Sequence, residues 1–262
     1  MSNNGQGAVL VTGAGHRIGQ AIAVFLSQNG HPTAIHYNRS REAAEETAEN
    51  INQIGGKAVA VKANLLEESE TSELIERANN ALGEEIAILV NNASRFEHDC
   101  ALSVSKESWE LNLQTNLRAP FVLSQNLARQ IQRGNSGCIV NILDQRVWRL
   151  TGDFTSYTLS KSALWTLTRT LALALAPDVR VNAVGPGPTL ASIHQNEETF
   201  AVEVRSLPLQ RGPSLGEIAA CVKFIIDSPS MTGQMIVLDG GQHLGTASAR
   251  LMKESDGMGD KR

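Results

Sequence analysis

Three side chains near the middle of the chain are placed to handle a proton. Tyr157 and Lys161 lie one helical turn apart at the start of a long apolar run, "YTLSKSALWTLTRTLALALA". That spacing puts a phenol and an ammonium on one helix face, which can make the tyrosine a proton donor. Upstream, at the end of the strand-like run Cys138–Leu143, stands Asp144. An acid is unexpected there. In a site that reduces a ketone, an ionised carboxylate would repel the developing oxyanion by about 4 kcal/mol for unit charges about 4 Å apart at an effective dielectric of about 20. That is nearly three decades in rate. Desolvated beside Tyr157, Asp144 should carry a raised pKa.

A second group of residues fits a dinucleotide. "VLVTGAGHRIGQAIAVFL" reads as strand, glycine turn and helix. Gly13 and Gly15 permit close backbone approach, Gly19 lets the helix pack on the sheet, and the helix N-terminus, with Arg17 and Ile18 in its first turn, faces a pyrophosphate. The next strand ends "IHYNRSREAAEE". A site for NAD would carry an acid about 20 residues past the glycines to hold the ribose hydroxyl. Here Tyr37, Asn38, Arg39, Ser40 and Arg41 come instead, with no acid before Glu42. Arg39 and Ser40 can bind a 2′-phosphate, and a phosphate explains basic residues at a helix N-terminus, where they are otherwise disfavoured. The expected cofactor is NADPH.

The elements that must position these groups alternate. Predicted strands are Ala8–Thr12, Thr33–Tyr37, Ala58–Lys62, Ile86–Val90, Cys138–Leu143, Val179–Val184 and Met235–Leu238. Predicted helices are Arg17–Gln28, Arg41–Ile54, Glu68–Leu82, Lys106–Gln132, Tyr157–Leu175 and Leu215–Ile226. Several strands are apolar throughout, as when both faces of a sheet are covered. The alternation predicts an α/β fold, a doubly wound parallel sheet in a single domain over residues 1–262. "VGPGPTL" marks a loop, residues 189–210 read as a mobile substrate segment with room for one short helix, and 246–262 as a loosely held polar tail.

Composition narrows the partners. Net charge is −4 and no basic stripe is present, which argues against nucleic acid and anionic membrane. Cys100, Cys138 and Cys221 are scattered without metal spacing, pointing to a reducing cytoplasm. The N-terminus lacks an export-signal pattern, and the longest apolar segment is too short to span a bilayer. His194 with the glutamates of "HQNEE" does not make a metal set, and no metal is expected.

Thr12–Gly19, "NNAS" at 91–94, Asn116, Tyr157-x-x-x-Lys161 and "VNAVGPG" at 181–187, in this order and spacing, resemble the short-chain dehydrogenase/reductase family over roughly residues 7–245. The resemblance implies a seven-stranded Rossmann-like sheet and a homotetramer built through the helices Lys106–Gln132 and Tyr157–Leu175. It implies that Tyr157 is the proton donor and that Lys161 lowers the tyrosine pKa and holds the nicotinamide ribose. Asn116 would kink its helix and position a relay water. Asn92 and Ala93 would contact the cofactor, with Pro186 and Gly187 under the nicotinamide. Asn64, beside Leu65, replaces the acid that usually meets adenine, and its amide oxygen can still accept from the adenine amine.

Three departures point one way. Arg17 stands where the family has a glycine, Asp144 where it has the catalytic serine, and Ser94 where it has glycine. Together with Phe96 and "HYNRS" they resemble pteridine reductases and the related bacterial dihydromonapterin reductases. That resemblance explains the acid. A pterin's reducible bond is C=N, so a ring nitrogen must gain a whole proton. A carboxylic acid can supply it or relay it through Tyr157, and a carboxylate can accept from pterin N–H groups. Phe96 would stack on the heterocycle, Ser94 bond its edge, and Arg17 bridge pyrophosphate and substrate. Trp148 and Trp165 are read as packing residues. The expected activity is NADPH-dependent reduction of a dihydropterin such as dihydromonapterin, dihydrobiopterin or dihydrofolate. The alternatives are a carbonyl or 3-oxoacyl reductase and a non-catalytic NADPH-binding sensor.

Overall fold

The computed structural model describes residues 7–131, 136–191 and 195–246. Seven parallel strands form one sheet: β1 (Ala8–Val11), β2 (Thr33–Tyr37), β3 (Ala58–Lys62), β4 (Ile86–Asn91), β5 (Gly137–Ile142), β6 (Val179–Pro186) and β7 (Met235–Leu238), in the order β3-β2-β1-β4-β5-β6-β7. Within β1, Val9 and Val11 face a core completed by α1 (Arg17–Gln28), α2 (Arg41–Gln53) and α8 (Leu215–Ile226). Ala8 and Leu10 face the opposite core, completed by α3 (Glu68–Leu82), α5 (Ala119–Gln130) and α6 (Thr155–Ala174). A parallel sheet covered on both faces is therefore apolar at successive positions, the pattern read from the sequence.

The chain winds one way from β1 to β3 and the other from β4 to β7. The direction reverses between β1 and β4, which pair side by side. At such a switch point the connections leave in opposite directions beyond the strand ends and open a crevice. The glycine turn follows β1 and "NAS" follows β4, so both motifs lie at that crevice.

One element differs from the sequence expectation. The long helix predicted over Lys106–Gln132 is α4 (Lys106–Leu113) and α5 joined by one π turn, Gln114–Arg118. Pro120 is the cause: it has no N–H, so the α-helical bond that would end on the Asn116 carbonyl cannot form, and the Ala119 N–H reaches back to Gln114 instead. Segment 189–210 contains a short helix, as expected: α7 (Glu197–Ser206), capped by the Asn196 side chain accepting from the Thr199 N–H at 2.8 Å. Gln132, His194 and the tail from 247 lie outside the described residues. Among the described residues, no helix is long and apolar enough to cross a membrane.

Candidate active site

Asp144 and Tyr157 meet. The Tyr157 hydroxyl donates to Asp144 Oδ2 at 2.9 Å, and Asp144 Oδ1 accepts from the Arg146 N–H at 2.8 Å. The second bond makes Asp144 the cap of a 3-10 turn, Gln145–Val147, so its direction is fixed by backbone. Lys161 is buried, donates to the Ile142 carbonyl at 2.8 Å and has its Nζ 5.8 Å from the Tyr157 ring centre.

Burial dominates the electrostatics of all three groups. It raises the Asp144 pKa, against the Arg146 N–H and charge. It pushes Tyr157 well above the ordinary phenol, with the Asp144 charge acting in the same direction. It lowers Lys161 to about 8, with Asp144 opposing. The family resemblance implies a tyrosine lowered by its lysine; here the phenol moves the other way, because burial disfavours its anion and the Asp144 carboxylate adds to that effect. In the resting site Tyr157 is a neutral hydroxyl that donates to an acid.

Asn116, fully buried in the π turn, holds the segment after β4 against α6. Its amide oxygen accepts from the Arg95 N–H at 2.8 Å and the Ser94 hydroxyl at 3.2 Å, and its amide nitrogen donates to Ser160 Oγ at 2.9 Å and the Arg95 carbonyl at 3.0 Å. Phe96 stacks on Phe154, with ring centres 4.3 Å apart, and meets the Tyr157 ring edge-on at 4.7 Å.

The crevice is lined on one side by Gly13, Arg17, Ile18 and Gly19, and on the other by Asn92, Ala93 and Ser94, with Asn64 and Leu65 at its end. Thr12 ties the two walls: its hydroxyl oxygen accepts from the Asn92 and Ala93 N–H groups at 2.9 and 3.0 Å. Gly19 has no room for a side chain, since a Cβ would overlap Asn92 Nδ2 and lie 2.9 Å from Ala14 Cα. Arg17 takes a left-handed backbone, φ 55°, which explains why glycine is the family's residue there. Its guanidinium donates to the Ala191 and Leu190 carbonyls at 3.0 and 3.3 Å, tying the glycine turn to the loop after β6. Tyr37, Asn38, Arg39 and Ser40 line the outer end of the crevice, while Arg41 turns back to Glu45 at 2.7 Å. The Asn64 amide oxygen, expected to be open to adenine, already accepts from Asn38 Nδ2 and the Leu66 N–H, both at 3.2 Å. Pro186 ends β6. A Cβ on Gly187 would come 2.7 Å from Asp239 Cα, so this turn is pressed against the chain leaving β7. Trp148 is not a core residue: it is about half exposed and meets His243 edge-on.

Two contributing residues escaped the sequence reading. His36 accepts the Gly13 N–H on Nδ1 at 3.0 Å, which leaves Nε2 as the donor to the Ala63 carbonyl at 3.0 Å; burial lowers its pKa to about 4 and keeps it neutral. Asp99 accepts from the Ser156 N–H at 3.2 Å and from the Ser156 hydroxyl, capping α6 from another segment. It does so because the residue at the helix entrance, Phe154, has no capping oxygen and sits at φ 59°. The only hint in the sequence was negative: no Ser, Thr, Asp or Asn immediately precedes Thr155.

A glycine turn at the switch point of a doubly wound sheet, with a buried Tyr–Lys pair beside it, defines an oxidoreductase of the Rossmann type. The model of the family described as short chain dehydrogenase matches residues 7–201, and the chain belongs to that family. The FolM alternative dihydrofolate reductase 1 from Brucella suis, solved in complex with NADP, is 45% identical, with a TM-score of 0.90 covering 94% of this chain and 99% of that one. A short-chain type dehydrogenase/reductase from Picea abies is 31% identical over 89% of this chain and 91% of its own length. A 3-oxoacyl-(acyl-carrier-protein) reductase, FabG, from Staphylococcus epidermidis is 29% identical over 90% of this chain and 99% of its own.

Proposed function

We propose that this enzyme reduces a dihydropterin to the tetrahydropterin with NADPH. The observation that carries the reading is the 2.9 Å bond from the Tyr157 hydroxyl to Asp144. An acid holds the post next to the proton-donating phenol, where it burdens a ketone and serves a C=N bond. The similarity to an alternative dihydrofolate reductase supports the same substrate class.

The residues present fit the cofactor. The crevice floor admits no side chain at Gly19, and Arg39 and Ser40 stand at its outer end for a 2′-phosphate. Gly13 to Gly19, Asn92 to Ser94, Leu65 and Pro186–Gly187 would hold it, and Lys161 would hold its nicotinamide ribose. When bound, NADPH supplies the hydride. The protein's part is the proton. Tyr157 gives its phenolic proton to the ring nitrogen and takes one from Asp144, whose raised pKa keeps the acid form accessible; solvent then reprotonates Asp144. Asn116 holds Ser94 and Arg95 in line with this pair. Ser94, Arg17 and Phe96 would meet the pterin. Segment 189–210, with α7, would close the substrate side. The apolar groove lined by Trp109, Leu113, Leu117, Phe121 and Leu167 fits assembly as a tetramer through α4, α5 and α6.

The test is NADPH oxidation with dihydromonapterin, dihydrobiopterin and dihydrofolate beside a panel of ketones and 3-oxoacyl thioesters. Turnover of a pterin well above any carbonyl is expected. Turnover of the carbonyl compounds alone would overturn the reading, and cofactor binding without turnover of either class would favour a sensor.

A further inference from the structure

We infer that Arg95 is a second phosphate-binding arm of the cofactor crevice, closing on the adenosine-side phosphate from the wall opposite Arg39. The inference rests on the cofactor reading above and goes beyond it by assigning a residue that no motif singled out.

Arg95 is fixed at its backbone. Its N–H and its carbonyl are both held by the Asn116 side chain, at 2.8 and 3.0 Å. From that anchor its side chain lines the inner crevice beside Asn92 and Thr115, and also the outer end beside Gly15, His16, Arg39 and Ser40. The glycine-turn and β2 residues reach the outer end from one wall; Arg95 is the residue of the β4 wall that reaches it.

The guanidinium is incompletely satisfied. One terminal nitrogen pairs with Glu97. Its Nε–H is shielded from solvent and finds no acceptor among the described residues. A shielded guanidinium N–H without an acceptor is costly, so such groups normally have one. Nε and a terminal nitrogen form the fork that binds two oxygens of a phosphate at once. Arg39 and Ser40 at the same concavity supply the rest of an anion site. Glu97 is the competitor: about half exposed, it holds the arm while no phosphate is there and can return to water when the arm engages.

Two phosphates of a dinucleotide could meet this arm, the 2′-phosphate at the outer end or the pyrophosphate at the glycine turn. The company of Arg39 and Ser40 favours the 2′-phosphate. The experiment measures Kd by calorimetry for NADPH, NADH, 2′,5′-ADP and 5′-ADP on wild type, Arg95→Ala and Glu97→Gln, with thermal unfolding of each variant to check the fold. Arg95→Ala should weaken NADPH and 2′,5′-ADP by about tenfold or more, the worth of a charge-assisted pair, and NADH and 5′-ADP by less than about twofold. Glu97→Gln, which removes the competitor and leaves Arg95 in place, should tighten NADPH about two- to fivefold. Weakening of NADPH, NADH and 5′-ADP with 2′,5′-ADP spared would overturn the assignment in favour of the pyrophosphate, which 2′,5′-ADP lacks. A wild type that binds NADPH tightly, matched by Arg95→Ala, would overturn the role of Arg95 alone. A wild type that binds neither dinucleotide would overturn the cofactor reading and this inference with it.

Discussion

Replacing Asp144 with serine separates a pterin reductase from a ketone reductase, because the two chemistries respond with opposite sign. In the structure Asp144 Oδ2 accepts the Tyr157 hydroxyl at 2.9 Å and Oδ1 accepts the Arg146 N–H at 2.8 Å. Serine can keep one of these bonds but has no titrating acid. For a substrate nitrogen that must be protonated, loss of a positioned general acid lowers turnover by about 10²–10⁴-fold. A carbonyl oxygen bonded to the phenol stands about 2.8 Å from it, hence roughly 4 Å from Asp144 Oδ2. At that separation an ionised carboxylate opposes a full oxyanion by about 4 kcal/mol at an effective dielectric of about 20. Removing it should therefore raise ketone turnover toward about 10³-fold. The pH profile adds a second signature. Burial raises the Asp144 pKa, so the proton-supplying form disappears as pH rises through that value, and wild-type pterin turnover should fall there while the variant shows no such limb. A carboxyl with a raised folded pKa burdens the folded state as it ionises, so the serine variant is relieved of that burden at higher pH, against about 1–3 kcal/mol for the buried hydrogen bond it cannot keep; thermal unfolding of both proteins separates loss of fold from loss of the acid. NADPH oxidation followed from about pH 5 to about pH 9 with dihydromonapterin, dihydrofolate and a ketone panel reads all three effects. Unchanged pterin turnover with an unchanged profile would refute the role of Asp144.

Other perturbations test the scaffold. Gly19→Ala places a methyl group onto Asn92 Nδ2 and 2.9 Å from Ala14 Cα; overpacking of about 1–3 kcal/mol and a large loss of NADPH affinity should follow, read by thermal unfolding and titration. Asp99→Ala strips the buried α6 terminus of its acceptor at Ser156 and should cost about 1–3 kcal/mol in unfolding free energy and lower kcat, with Asp99→Asn restoring much of both. His36 should show in acid. Its folded pKa of about 4 lies below the ordinary value of 6.5, so the unfolded chain takes the proton first and stability drains away as pH falls through that window, at up to about 1.4 kcal/mol per pH unit. In His36→Gln, which can keep both hydrogen bonds without titrating, denaturant unfolding should lose that slope.

The sheet was legible because its cause is local. Apolar β-branched runs, punctuated by glycine and spaced by amphipathic helices, admit few arrangements other than a doubly wound parallel sheet. Seven strands and most helices stand within two residues of where the pattern put them. The glycine turn was legible for the same reason. What escaped depends on contacts between distant segments. Asp99 caps a helix that starts 56 residues later in the chain (155 − 99). His36 binds the Gly13 N–H across a gap of 23 positions. Neither has a sequence pattern, because each engages a backbone N–H, a group that all residues but proline carry. The π turn was within reach: Pro120 inside a helical run removes a donor, and the carbonyl four residues earlier belongs to Asn116. Asn64 shows the opposite failure. Its side-chain chemistry suited adenine, but its neighbours had already engaged its oxygen.

The three buried groups at the site explain together why the acid can replace a hydroxyl. Burial disfavours every charged form, so it raises the acid and the phenol and lowers the amine. A phenolate, the base that would take a proton from an alcohol, is thereby the least accessible state of Tyr157 near neutrality. The neutral phenol, backed by an acid that can refill it, is the most accessible. A ketone reductase that also runs as an alcohol dehydrogenase needs both states of its tyrosine within reach. A reductase of a C=N bond needs only the donor, since its product nitrogen keeps the proton. On the proposed reading Asp144 shifts the site toward that single task, and the cost of burying an acid is tolerable because the carboxyl keeps two hydrogen bonds and lies within the field of Lys161.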